Sequence, residues 1–186
     1  IFPRFMIRGG YDGRGFLATM GFYRDACDNL AMLRQVEGTS VSIRHGSGLR
    51  EKMDDLIQTF SVLKQSWATL SDVITELQSR ELNMPEFLDQ VYGQPQEDSK
   101  RSEKIHSNRT KAIFRRLSRE RFHTGRGSMG GDFTVSAWEA YNAIQGYVQH
   151  DASRKGSPND FDRVIAASND QHVRKAEKIT MELLAA

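Results

Sequence analysis

Between Lys100 and Arg126 the sequence places ten cations: Lys100, Arg101, Lys104, Arg109, Lys111, Arg115, Arg116, Arg119, Arg121 and Arg126. Only Glu103 and Glu120 oppose them. The segment therefore carries +8 and the other 159 residues carry −6, although the chain as a whole is only +2. Lys and Arg in such density neutralise phosphates and release their counterions, which gives an affinity that falls with salt. Ile113, Phe114, Leu117 and Phe122 interrupt the charges. The first three are three or four residues apart, the spacing of one helix face. One reading is a basic amphipathic helix with its apolar side on the core and its charges in water. The other is a polyanion-binding surface. In that case Lys100, Arg101, Arg109, Lys111, Arg115, Arg116, Arg119 and Arg121 would track a phosphate backbone, and Phe122, His123 or Tyr11 would stack on bases. Nothing matches a recognition helix that reads base edges, so binding is expected to tolerate sequence.

The remaining chemistry-bearing residues form weaker patterns. Gly125-x-Gly127-x-x-Gly130 matches a dinucleotide fingerprint as a string, but a helical stretch precedes it where the motif needs a strand. The spacing from Gly125 to Gly130 also suits a phosphate loop, yet Gly131-Asp132 stands where Lys-Ser/Thr is required. Its amides could still approach a phosphate beside so many cations. His45, His106, His123, His150 and His172 show no ligand spacing, so no metal is expected. Cys27 is the only cysteine, which excludes an intramolecular disulfide and fits a reducing, cytoplasmic setting. His150-Asp151 is adjacent in sequence, and that spacing makes no dyad. A histidine at a helix carboxyl end is explained by the dipole. No nucleophile motif appears, so the expectation is a non-enzyme without cofactor. No apolar run approaches the roughly 18 residues of a membrane span.

The elements that must position these residues follow from periodicity. A length of 186 residues suits one domain. RFMIR (4–8) and FLATM (16–20) flank the turn-rich GGYDGRG and predict an antiparallel hairpin. TSVSIRH (39–45) alternates as a half-buried strand. Residues 22–36 fit neither period. From 49 to 80 the apolar positions Leu49, Met53, Leu56, Ile57, Phe60, Leu63, Trp67, Leu70, Val73, Ile74 and Leu77 form one helical stripe, read as core. PEFLDQVY predicts a short helix opened by Pro85. A polar linker spans 93–100, and a glycine-rich loop, 124–132, follows the basic segment. Further helices are expected over 134–150, at FDRVIAAS and at DQHVRKAEKITMELLA. The fold class is therefore α+β. A small antiparallel sheet, made of the hairpin plus the strand near 39–45, packs on the long helix 49–80. An α-helical carboxy-terminal half follows.

Three stretches together carry a resemblance: GFYRDACDNLAM (21–32), VSIRHGSG (41–48) and TVSAWEAYNAIQGYVQH (134–150). They resemble the phage/plasmid-like proteins grouped as a domain of unknown function, in order and spacing over most of the chain. The matching positions are Arg24, Cys27, Asn29, Arg44, His45, Trp138, Asn142, Ala143 and His150. The sequence departs from the family pattern at Leu30, where glycine is frequent, and at Gln149, where aspartate is frequent. The resemblance implies a phage or plasmid origin and no assigned catalytic residue. It also implies that family members extend further at the amino terminus, so a missing first section is expected. The coarse layout is similar to that of single-strand annealing proteins of phages, a likeness of fold only. The leading expectation is a nucleic-acid-binding protein, with single-stranded DNA as partner in recombination or replication. The alternative is a structural or interaction protein whose basic helix meets an acidic partner surface, including that of its own homo-oligomer.

Overall fold

Alternation of apolar residues builds the first layer. The computed structural model describes residues 2–8, 15–24, 29–31, 33, 35–36, 40–43, 49–123, 125–152 and 160–185. Strand β1 (Phe2–Arg8) pairs antiparallel with β2 (Phe16–Arg24), from Phe2↔Tyr23 to Arg8↔Leu17. The other edge of β2 is shared end to end. There β3 (Asn29–Ala31) lies against Phe22–Arg24, and β4 (Ser40–Ile43) lies against Phe16–Thr19. Ala18, Met20 and Phe22, at every second position of this central strand, are buried together. Within the stretch 22–36 that fits neither period, residues 22–24 end β2 and residues 29–31 form the short β3.

Helix α1 (Leu49–Ser79) lies against this sheet. Trp67 sits 5.4 Å from the Phe22 ring, and Phe60 meets Phe5 edge-on at 6.2 Å. Leu63, Leu70, Ile74 and Leu77 are buried at helical spacing. The expected single core stripe is not buried throughout, and the side chains of Leu49, Met53 and Leu56 lie outside the described ones. Among its described side chains the buried ones begin at Leu63, and Ile57 is 62% exposed. A periodic pattern shows which face is apolar, while the length that finds cover depends on the neighbours.

A second sheet pairs β5 (Glu81–Asn83) with β6 (Thr134–Ser136), antiparallel. It launches two helices from its opposite ends. Asn83 caps α2 (Met84–Tyr92) by accepting from the Glu86 N–H at 3.1 Å. Ser136 caps α4 (Ala137–Gly146) through a reciprocal capping box with Glu139. All ten residues of α4 are buried, and Trp138 joins Phe22 at 5.9 Å, so this helix ties the second half to the first sheet. The chain continues from α4 into a π-turn, Tyr147–Asp151. The single helix expected over 134–150 is therefore strand, helix and π-turn in succession. Local periodicity cannot see that Thr134–Ser136 pairs with residues some fifty positions earlier. Helices α5 (Asp160–Ser168) and α6 (Gln171–Ala185) close the chain, α6 against α4 and α2. The α+β class with a helical carboxy-terminal half stands. Among the described residues no helix is long and apolar enough to cross a membrane.

Candidate nucleic-acid interface

The basic segment folds as helix α3 (Lys100–His123). Ser99 opens it: its hydroxyl accepts from the Ser102 N–H at 3.2 Å and its carbonyl from the Glu103 N–H at 3.0 Å. Glycine closes it. Gly125 takes φ +70°, its N–H bonds the Phe122 carbonyl at 3.2 Å, and the Arg126 N–H bonds the Arg121 carbonyl at 3.0 Å. This pair of bonds is the Schellman arrangement, in which a left-handed residue satisfies the last carbonyls. The first two glycines of the Gly-x-Gly string thus cap a helix and lead into β6, with no strand before them.

The apolar side of α3 faces α4. Ile113 and Leu117 are fully buried, and Phe114 meets Phe133 edge-on at 5.8 Å. Turning 100° per residue, a sector of about 100° on the opposite side contains Lys100, Arg101, Lys104, Asn108, Lys111, Arg115, Ser118, Arg119 and Phe122. All nine are exposed. Six are cations and none is acidic, because Glu103 and Glu120 fall outside the sector. At 1.5 Å per residue the stripe from Lys100 to Arg119 is about 28 Å long. Phe122, 79% exposed, sits at its carboxyl end.

The other four cations have partners within the fold. The Arg116 guanidinium grips the Asp151 carboxylate through two bonds, the second at 2.9 Å. These bonds hold the Asp151 carboxyl below the usual carboxylate range, against the opposing effect of partial burial. Arg121 pairs with the buried Glu139 at 2.9 Å and donates to the carbonyls of Gly127 and Arg126. Arg126 approaches Glu139 at 3.4 Å. The Arg109 guanidinium lies 4.0 Å from the Tyr92 ring centroid, and His172 packs on the same ring at 4.4 Å. Burial raises the Tyr92 hydroxyl well above the usual tyrosine range and raises that of Tyr147 as well. Of the eight cations expected to follow a phosphate backbone, Arg109, Arg116 and Arg121 are thus engaged in intramolecular contacts.

The residues that carried the sequence resemblance do not assemble around a cavity. Trp138, Asn142 and Ala143 are core positions of α4, and the Asn142 amide is bonded to the Trp138 carbonyl at 2.8 Å. His150 is exposed in the π-turn. Arg24 and Asn29 face one another in backbone register across β2 and β3. Cys27, Arg44, His45 and the stacking candidate Tyr11 lie outside the described residues, as does the side chain of His123. No cluster that could hold a metal occurs among the described residues. Sequence reasoning missed Tyr92 and Glu139, and it weighed Asp151 only beside His150 and His172 only as a metal ligand. The capping-box spacing Ser136-x-x-Glu139 was the one local signal for any of them.

The family model for a domain of unknown function, DUF932, matches residues 10–180. No curated protein and no solved structure matches the chain.

Proposed function

The chain belongs to the DUF932 family, domains of unknown function, and on that footing we propose that it is a non-enzymatic, phage- or plasmid-associated protein that binds nucleic acid along α3. The observation that carries the reading is the exposed stripe: six cations within one sector of about 100°, with no acid among them. Single-stranded DNA is the partner that best uses this surface. The aromatic face of Phe122 ends the stripe, and an unpaired base presents a π-face to it that a duplex keeps stacked. Such a surface would serve an annealing or strand-covering step in recombination or replication, with little sequence preference.

A salt-titrated binding assay on a labelled oligonucleotide tests this. Affinity should fall steeply with salt, and the triple variant Lys111→Ala/Arg115→Ala/Arg119→Ala should bind at least tenfold more weakly at about 50 mM salt. Binding that ignores salt, or a triple variant equal to the parent, refutes the reading. The −6 carried by the other 159 residues supports a second reading, in which the stripe meets an acidic surface on another copy. In that case mass measured in solution would rise with concentration and the same triple variant would abolish the rise.

A further inference from the structure

Beside the first turns of α3 lies a cleft of about 360 Å³. It is walled by Tyr92, Ser99, Arg101, Ser102, His106 and Arg109, together with the Gln94–Gln96 linker, and no Asp or Glu lines it. Arg101 and Arg109 make no ion pair with a described residue. The Tyr92 hydroxyl and the His106 Nδ1 are sealed from water, yet neither has a hydrogen-bond partner among the described residues. Buried polar atoms are nearly always satisfied, so these two orphans behind the wall leave this side of α3 short of hydrogen-bond partners. Burial keeps the Tyr92 hydroxyl protonated, hence a donor. Ser102 and Ser99 already accept backbone N–H groups, at 2.9 and 3.2 Å, which leaves their hydroxyl protons to donate. The helix amino terminus adds its positive end. The Tyr92 ring is already packed against Arg109 and His172, so the cleft offers charge and donors in place of a stacking surface.

We infer that this cleft binds a phosphate monoester together with its attached sugar. No carboxylate opposes the positive charge there, the serine hydroxyls add donors, and two guanidinium groups match the double charge of a monoester. The volume falls at the lower end of small-ligand sites, enough for one nucleotide unit. Arg101 belongs both to the cleft and to the exposed stripe, which makes the terminal phosphate of a bound strand one source of the ligand and a free mononucleotide the other. The first source rests on the nucleic-acid reading; the chemistry of the cleft does not.

Two measurements on the full chain separate these cases. Thymidine 5′-monophosphate is titrated while the His106 ring resonances are followed by NMR. In parallel, a fluorescent fifteen-nucleotide thymidine strand is compared with and without a terminal phosphate at either end. The expected result is a saturable His106 shift and about tenfold tighter binding of one phosphorylated strand. Arg109→Gln and Ser102→Asp should each remove both effects. The second variant places a carboxylate in the cleft at a helix position that favours acids, so it keeps the fold even if loss of the Arg109–Tyr92 contact unsettles the first. A mononucleotide shift without strand binding upholds the cleft and refutes the strand reading. A mononucleotide shift with strand binding indifferent to its ends makes the free mononucleotide the ligand. Absence of any His106 response, with or without strand binding, overturns the inference.

Discussion

Arg115 and Arg116 are neighbours in sequence and separate in role. One helical step of 100° sets Arg115 in the middle of the exposed stripe and Arg116 on the flank, where Asp151 holds it. Arg115→Ala should weaken oligonucleotide binding and leave the unfolding midpoint within about 0.5 kcal/mol of the parent. Arg116→Ala should do the reverse, with strand affinity nearly unchanged and about 1 kcal/mol of stability lost, since the ion pair is partly open to water. Denaturant melts beside the binding assay read both. Asp151 makes a second expectation. Its folded carboxyl titrates below the unfolded value, so its contribution is present above the ordinary carboxylate range of about 4 and disappears as pH falls through the depressed value. Replacing Asp151 by Asn should therefore flatten the acid limb of a melting-temperature profile below about pH 5. An unchanged acid limb would show that the pair contributes nothing. Neither Arg116 nor Asp151 was singled out as a pair by the sequence, because the partners stand 35 positions apart.

Between elements, Glu139 does the joining. Its carboxylate accepts from the Ser136 backbone at 3.1 Å to close the cap of α4, and the same group receives Arg121 and Arg126 from the end of α3. Arg121 in turn holds the carbonyls of the glycine loop. The turn from basic helix to central helix is thus fixed by one buried acid. Glu139→Ala should cost about 2–4 kcal/mol, since it removes a cap and strands a largely buried guanidinium, and chemical denaturation measures it. A loss below about 1 kcal/mol would mean that the loop is held by its backbone bonds alone. The capping box was legible as Ser-x-x-Glu. That its carboxylate would also serve an arginine of another helix and one of the loop after it was not, because that depends on how α3 crosses α4.

For the molecule as a whole, a net charge of +2 conceals a division into +8 and −6. The fold sharpens it. Six of the ten cations lie outward in one stripe, while four are used to hold α3 to its neighbours. If all six engage phosphates, the slope of log affinity against log salt is bounded at about −4 on single strands and about −5 on duplex. A slope near −7 on single strands would require all ten and would contradict the division. The buried side of the same helix, Ile113 and Leu117 against α4, keeps the stripe turned to solvent.

What the sequence determined by itself was local. The strand-like run at 16–20 and the period of 3.6 in α1 and α3 are properties of neighbouring residues, as are the Pro that opens α2 and the Gly that ends α3. The six-cation stripe follows from that period once the buried face is known. The face of α3 that is buried is the one its apolar residues mark, while the tertiary structure alone decided which arginines are spent on Asp151, Glu139 and Tyr92. It also decided that Thr134–Ser136 is a strand, and that Trp138 and Asn142 belong to the core. Each of these depends on a partner far along the chain, and whether burial or an ion pair forms is settled by what packing brings within a few ångströms, which spacing in sequence does not encode.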